Sequence, residues 1–284
     1  MSKNKGAKAN LVLKGKEGFE KYYSDLYGLR WPLLKEALVK DSVYATLSCG
    51  GTEKYYLDPA SVFAAMQLPL KGAKRLLDMC AAPGGKTLVL AGRMDEDAVL
   101  VSNERSSSRK QRLVTVCDTC LPSQVRERIK ISCSDAAKWC TTQKECYERI
   151  LLDAPCSSER HVLNDEKYLA EWSPNRIKSL AMEQWALLSC AYRLLEPDGY
   201  LLYSTCALAK AENDGVVERL LKKFDDVEFC FEQKEPVLPE DYARSCKMDF
   251  IPETEPTEYG FHILPDKQSG AGPIWFTLIH KKNR

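Results

Sequence analysis

Leu76-Leu77-Asp78-Met79-Cys80-Ala81-Ala82-Pro83-Gly84-Gly85-Lys86-Thr87 is the stretch whose reading decides the fold. An apolar run ends in an acid, passes through a turn of small residues, and re-enters apolar sequence at Leu88, Val89, Leu90 and Ala91. Strand, tight loop and helix in that order form the unit from which open parallel sheets hold nucleotide-like ligands. From residue 74 onward short apolar runs alternate with helical periods, which predicts a parallel sheet covered on both faces. The predicted strands are Arg75–Cys80, Val99–Glu104, Ile129–Ser134, Arg149–Asp153 and Tyr200–Thr205, with Val227–Phe231 and Ile274–His280 toward one edge. The clearest helix starts at Ser173-Pro174, carries Ile177, Leu180, Ala181, Leu187, Leu188, Ala191 and Leu195, and stops at Glu196-Pro197-Asp198-Gly199. The expected fold is α/β, with a mostly parallel, seven-stranded, Rossmann-like sheet over residues 71–284.

Residues 1–70 read as a small helical extension. Phe19, Tyr22, Tyr23, Leu26 and Tyr27 have the spacing of an amphipathic helix over 17–31. Trp31-Pro32 interrupts it, and Leu33, Leu34, Ala37 and Leu38 predict a second, shorter helix. Asp58-Pro59 reads as an N-cap followed by proline at the first helical position, with Val62, Phe63 and Met66 facing inward. Lys3, Lys5, Lys8, Lys14, Lys16 and Lys21 crowd the first residues, a solvated disordered tail or else an arm for nucleic acid.

The 284 residues carry 41 Lys and Arg against 40 Asp and Glu, a net charge of +1, so any basic surface for nucleic acid is local. No apolar stretch approaches the roughly 20 residues of a membrane span, and the N-terminus lacks the apolar core of a signal peptide. The expectation is a cytoplasmic monomer with no membrane contact. Twelve cysteines without a secretion signal predict reduced thiols. Cys117-Asp-Thr-Cys120 has zinc-knuckle spacing, but no second pair follows and His161, His262 and His280 are scattered, so no metal site is expected.

Two ligand classes compete for the loop after the first strand. Gly85-Lys86-Thr87 is the end of a phosphate-binding loop, for which Ile150–Asp153 would hold magnesium. Cys80 stands where such a loop needs glycine, however, and Pro83 removes an N–H from a loop that must donate N–H groups. An NTPase is therefore the weaker alternative. The stronger is a cofactor lying across the carboxyl ends of the strands, against the backbone of Cys80, Ala81, Ala82, Pro83, Gly84, Gly85 and Lys86. Glu104 would hold ribose hydroxyls, Asp135 and Asp153 end the next strands, and Arg109 lies on a solvated helix face or else supports the ribose side. For Asp135, capping the following helix and binding ligand are equal readings. Acids at successive strand ends suit a nucleoside with a free amino group, S-adenosyl-L-methionine, better than a triphosphate.

Asp153-Ala-Pro-Cys156-Ser157 and Ser204-Thr-Cys206-Ala207 each place a cysteine just beyond a predicted central strand. Methylation of cytosine C5 needs a thiolate, because C5 becomes nucleophilic only after one adds to C6, and then a second group nearby to help remove the C5 proton. Cys206 is the candidate nucleophile, with the helix expected near Lys210 favouring its anion. Cys156 would then assist removal of the C5 proton, and Asp153 would bond the N3/N4 edge of the base. Residue chemistry alone does not rank the two cysteines.

With Asp78-Met-Cys-Ala-Ala-Pro-Gly-Gly-Lys86, Asp153-Ala-Pro-Cys156-Ser157 and Tyr203-Ser-Thr-Cys206 in order, the chain resembles the Nop/Sun family of S-adenosylmethionine-dependent RNA cytosine-5 methyltransferases. Leu208-Ala-Lys-Ala-Glu212-Asn213, Ile263-Leu-Pro-Asp266 and Gly272-Pro273 also fit, so the resemblance runs from about Tyr55 to the C-terminus. It implies a class I methyltransferase fold, Cys206 as nucleophile, Cys156 as the releasing thiol, and Cys80–Lys86, Glu104, Asp135 and Asp153 at the cofactor. Ser157-Ser-Glu-Arg-His-Val-Leu replaces the glycine-containing segment of many relatives and is closer to the compact organellar-type branch, implying ribosomal or transfer RNA as substrate. Glu104 stands where aspartate is usual. RNA contacts are expected from the extension, Arg160, Lys167 and Arg176, helped by a protein partner. A non-catalytic RNA-binding or ribosome-assembly factor of the same fold is the alternative, against which intact Cys156, Cys206 and Asp153 argue.

Overall fold

The computed structural model describes residues 14–230, 246–247, 250–267 and 270–283. Lys3, Lys5 and Lys8 of the basic N-terminal stretch, and Phe231 of one expected strand, lie outside them. The chain begins with α1 (Gly15–Tyr27), a 3-10 turn over Gly28–Arg30, and α2 (Trp31–Val39). Helix alone is expected over residues 1–70, but Ala45–Leu47 (β1) and Tyr55–Leu57 (β2) form an antiparallel hairpin there. Its turn lies against the end of a later helix, where a Cβ on Gly51 would fall 2.3 Å from the Cys120 carbonyl carbon. Glycine is required at that contact. α3 (Pro59–Met66) follows, capped by Asp58, which accepts from the Ala60 amide at 2.8 Å as the Asp-Pro pair predicts.

The parallel sheet then builds in chain order. β3 (Arg75–Asp78) leads through the small-residue loop into α4 (Gly85–Ala91), and β4 (Val99–Asn103) into α5 (Ser107–Cys120) and α6 (Ser123–Arg126). β5 (Ile129–Ser132) is followed by a 3-10 turn over Ala136–Thr141, and β6 (Tyr147–Asp153) by α7 (Glu159–Leu163), α8 (Glu166–Ala170) and α9 (Pro174–Leu194). β7 (Leu195–Thr205) runs through a 3-10 turn at Lys210–Glu212 into α10 (Asp214–Leu221). The chain closes with β8 (Val227–Phe229), β9 (Cys246–Lys247), β10 (Glu255–Pro256), β11 (Phe261–Ile263) and β12 (Ile274–Lys281).

The main sheet has the order β10-β11-β12-β7-β6-β3-β4-β5, with β8 also on β12, and β9 joins the hairpin instead. This makes nine strands where the sequence predicts seven. The two added strands, β10 and β11, continue the sheet beyond the N-terminal half of β12, while β8 covers its C-terminal half. An eight-residue strand would otherwise present an unpaired edge. The order reverses between β3 and β6, and at such a switch point the loops leaving the two strands diverge and open a crevice at the carboxyl edge.

Leu76, Leu88 and Leu90 are buried on one face of the sheet, and Ile150, Leu188 and Leu201 on the other. A third core joins the extension to the α/β domain: Phe19, Tyr23, Trp31 and Leu34 pack on Trp172, Ile177 and Leu208. The Phe19 and Trp172 rings meet edge to face at 5.5 Å. Leu26, part of the predicted apolar stripe, is exposed instead, because this core needs only one side of α1. Among the described residues no helix is long and apolar enough to cross a membrane.

Arg30 fastens the extension to the C-terminal strands. Its guanidinium donates to Asp266 at 2.5 and 2.8 Å and to Glu255 at 2.6 Å twice, with the Asp266 side chain only 9% exposed. Replacing Arg30 by alanine leaves two carboxylates facing each other and should cost about 1–3 kcal/mol, between the values for exposed and buried pairs. Urea unfolding measures it, and Arg30→Lys should recover less than half, because an ammonium cannot fork to both acids.

Candidate active site

The loop after β3 is fixed by its own polar residues. Thr87 Oγ1 donates to Asp78 Oδ2 at 2.6 Å, joining the end of the strand to the start of α4. Gly84 has a φ of +121°, which favours glycine. At Gly85 a Cβ would meet Leu57 and Tyr55 of β2 at 2.9 Å, so the hairpin packs directly on the loop. Lys86 Nζ donates to Asp153 Oδ2 at 2.7 Å and lies 3.4 Å from Ser61 Oγ. The lysine and threonine that would serve a nucleotide phosphate and its magnesium are thus both held by protein carboxylates.

A crevice runs along the carboxyl edge in two parts. The first, about 120 Å³, is lined by Met79, Asn103, Glu104, Asp135 and Leu187. The second, about 280 Å³, is lined by Lys86, Asp153, Cys156, Ser158 and Cys206. Cys80, Arg109 and Pro155 line both. Arg109 is not the free solvated cation its position on α5 would allow: Nη2 donates to the Ala82 carbonyl at 2.6 Å and Nη1 pairs with Glu104 Oε2 at 3.0 Å. Asp135 accepts from the Ala137 amide at 3.3 Å and also faces the crevice, so it is both cap and wall.

The narrow part fits a ligand that brings hydroxyl donors. Glu104 is 4% exposed, one carboxylate oxygen accepts the Ser106 amide at 2.8 Å, and the other, Oε2, is ion-paired with Arg109 Nη1 at 3.0 Å without a hydrogen bond of good geometry. The ion pair offsets the charge, and the lone pairs that remain on that oxygen are open to a ligand hydroxyl.

The two cysteines meet in the wider part. β6 and β7 run parallel with Asp153 opposite Ser204, and the Ala154 amide donates to the Ser204 carbonyl at 2.9 Å. Cys156 and Cys206 therefore leave adjacent strands at the same level, and their sulfurs are 3.0 Å apart. Ser204 Oγ donates to Asp153 Oδ1 at 2.9 Å, turning that carboxylate toward the same cavity. Cys206 is held below the ordinary thiol value, first by the hydrogen bond from Cys156 and also by that from Ser158, against burial. Cys156 is pushed well up, first as donor to Cys206 and then by burial. The helix expected to favour the Cys206 anion does not begin near Lys210: residues 210–212 form a 3-10 turn and α10 starts at Asp214.

A family described as 16S rRNA methyltransferase RsmB/F matches residues 65–264. The chain belongs to this family. It is similar to the mouse 5-cytosine rRNA methyltransferase NSUN4, with 29% identity over 238 residues, covering 82% of this chain and 61% of the relative. A mouse mitochondrial tRNA (cytosine(34)-C(5))-methyltransferase is 30% identical over 234 residues, covering 82% and 65%. The chain thus spans just under two thirds of the length of these relatives. A solved methyltransferase homolog from Pyrococcus horikoshii shares the fold, with a TM-score of 0.69 at 22% identity over 93% of this chain and 94% of that one.

Several residues at the site escape sequence reasoning. Asn103 laces three strand ends, donating to the Met79 and Ser134 carbonyls at 3.3 and 3.0 Å and accepting from Ser132 Oγ at 2.9 Å. Asn213, within a stretch that fits the family pattern, accepts from Thr205 Oγ1 at 2.6 Å and donates to the Ala207 carbonyl at 2.9 Å, pinning the turn that carries Cys206. Fully buried Glu159 accepts from Tyr23 of α1, from Ser157 Oγ, and from the Leu208 amide at 3.0 Å. One carboxylate thereby ties both cysteine loops to the extension. Glu212 accepts from the Ser157 amide and Gln184 Nε2, each at 2.9 Å. No sequence pattern marks these roles, because each depends on which loops meet. Arg160, expected at RNA, is half-buried, and its guanidinium donates to the Lys40 carbonyl at 3.2 Å and Ser42 Oγ at 3.1 Å. Lys167 and Arg176 remain exposed. Cys117 and Cys120 are buried on α5, and among the described residues no cluster of His, Cys, Asp and Glu side chains suits a metal.

Burial, and then the neighbouring Glu159 charge, raise the Glu212 carboxyl from its ordinary 4.5 to about 7. The folded state then binds this proton more tightly than the unfolded chain, so its contribution to stability is complete below about pH 4.5 and lost as pH rises through about 7. Glu212→Gln keeps an acceptor for Ser157 and Gln184 but cannot ionise. Its melting temperature relative to the unsubstituted protein should therefore rise between about pH 5 and about pH 8. Thermal melts across that range measure this, and a pH-independent difference contradicts the assignment.

Proposed function

We propose that this chain transfers a methyl group from S-adenosyl-L-methionine to C5 of a cytidine in RNA, through a covalent bond between Cys206 and C6. The carrying observation is the pair of sulfurs 3.0 Å apart in one cavity with Asp153, beside a crevice lined by Glu104 and Asp135. Membership of the family supports the same reading. Ribosomal RNA is the favoured substrate, since the family description and one mouse relative name it, and transfer RNA is next.

Bound S-adenosylmethionine would supply the electrophilic methyl, held by the Cys80–Lys86 backbone, Glu104, Asp135 and Asp153. The residues of the chain do the rest. Cys206, the lower of the two thiols, adds to C6 and makes C5 nucleophilic. Asp153 has lone pairs beyond those used by Lys86 and Ser204 and accepts from the base edge. Once Cys206 is bonded to carbon, the interaction that most raises Cys156 is gone. Cys156 then gives its own proton to solvent and, as the thiolate, takes the C5 proton. The C5–H electrons re-form the C5–C6 double bond, and the Cys206–C6 electron pair returns to sulfur. Exposed Lys167 and Arg176 and the extension face the RNA phosphates, so binding weakens with salt. With a net charge of only +1, a protein partner adding basic surface fits this scheme.

RNA carrying 5-fluorocytidine should trap the protein covalently, Cys206→Ala should abolish trapping, and Cys156→Ala should accumulate adduct on ordinary RNA. Trapping that survives Cys206→Ala overturns the choice of nucleophile. RNA binding without any adduct favours a non-catalytic assembly factor. In thermal shift, S-adenosylmethionine should stabilise the protein and ATP with magnesium should not, and the reverse returns the loop to an NTPase.

A further inference from the structure

The donors available to Cys206 are few among the described residues. The two amides that follow it are committed elsewhere, Ala207 N to Thr205 Oγ1 at 3.1 Å and Leu208 N to Glu159 Oε2 at 3.0 Å. Lys86 donates to Asp153 at 2.7 Å and acts on Cys206 through its charge, with no hydrogen bond to that sulfur. That leaves the Cys156 thiol at 3.0 Å and the Ser158 hydroxyl at 3.3 Å. Cys156 cannot remain a donor throughout, because on the function proposed above it must itself give up its proton to act as base. Ser158 can, since a serine hydroxyl does not titrate in this range.

Ser158 is also unusual in its backbone. It has φ 55° and ψ 61°, the left-handed region that favours glycine, and its side chain caps none of the amides of α7, which it immediately precedes. Its Oγ lies instead 3.3 Å from Cys206 Sγ, 3.5 Å from Cys156 Sγ and 3.4 Å from the Cys156 carbonyl. Its neighbours are clamped: the Ser157 amide is on Glu212, Ser157 Oγ is on Glu159, and Glu159 holds the Leu208 amide. The strained turn is thereby held with its hydroxyl against the sulfurs.

We propose that Ser158 is a fourth catalytic residue of this site, its hydroxyl donating the hydrogen bond that holds Cys206 as the thiolate that attacks C6. The assignment rests on the function proposed above. A hydroxyl has one proton for three acceptors, and when Cys206 ionises the charged sulfur takes it, because charge-assisted bonds are the stronger. The need is greater because the charges of Asp153 and Glu159 both oppose the anion.

The test follows iodoacetamide alkylation of Cys206 against pH, read by peptide mass spectrometry, alongside trapping on 5-fluorocytidine RNA and the melting temperature. Ser158→Gly relaxes the backbone while removing the hydroxyl, so it should keep or raise the melting temperature, yet alkylate Cys206 about tenfold more slowly at neutral pH. Its alkylation midpoint should move to higher pH, and adduct formation should slow in parallel. Ser158→Ala, which keeps the Cβ at this φ and removes only the hydroxyl, should slow alkylation to the same extent, separating the hydroxyl from the relaxed backbone. A Ser158→Gly protein with unchanged alkylation midpoint and adduct rate overturns the role of Ser158 and leaves the methyltransferase reading intact. Failure of the unsubstituted protein to form any adduct overturns both.

Discussion

Asp153 and Ser204 face each other across two parallel strands, and the chemistry of the site depends on that register. Side chains just past the ends of neighbouring parallel strands come out on the same edge of the sheet. Three residues beyond Asp153 and two beyond Ser204, the chain therefore delivers two sulfurs to one spot. A slip by one residue would turn Ser204 away from Asp153 and send one cysteine into the core. Leu151, Leu152, Leu202 and Tyr203, buried in these strands, make such a slip costly.

The extension is part of that site and more than an appendage. Tyr23 reaches Glu159, Tyr27 donates to the Leu208 carbonyl at 3.1 Å, and Arg30 holds Asp266 and Glu255. The first two contacts fall on the loops that carry Cys156 and Cys206. Glu159 is the centre of this arrangement, and burying a carboxylate so completely requires every donor around it. The cost of leaving those donors unpaired is what locks the two loops together.

The small-residue loop has a related logic. Its glycines admit the hairpin and a tight helix start, its lysine is spent on Asp153, and its threonine on Asp78. Burial raises the Asp78 carboxyl to about 7, with one oxygen accepting from Thr87 and the other left without a donor. The same residue types that elsewhere cradle phosphate here build the wall between a ligand crevice and a pair of thiols.

Alternation of apolar runs with helical periods was enough to read the parallel sheet, because strand and helix burial leave different periods in the chain. The strand-end acids and both cysteines were legible for the same reason, since position just past an apolar run marks the carboxyl edge. The nine-strand count was not, as β10 and β11 are too short to leave a period and form only because β12 needs a partner. Nor was the hairpin at residues 45–57, whose strands have three residues each. Arg160 read as an RNA contact because charge in a loop looks solvated until the fold shows what lies beside it. The sequence by itself determined which residues reach the carboxyl edge of the sheet. Tertiary structure alone decided that Glu159 joins three segments and that Ser158 faces the two sulfurs. Those depend on distances between residues remote in the chain, which no local pattern records.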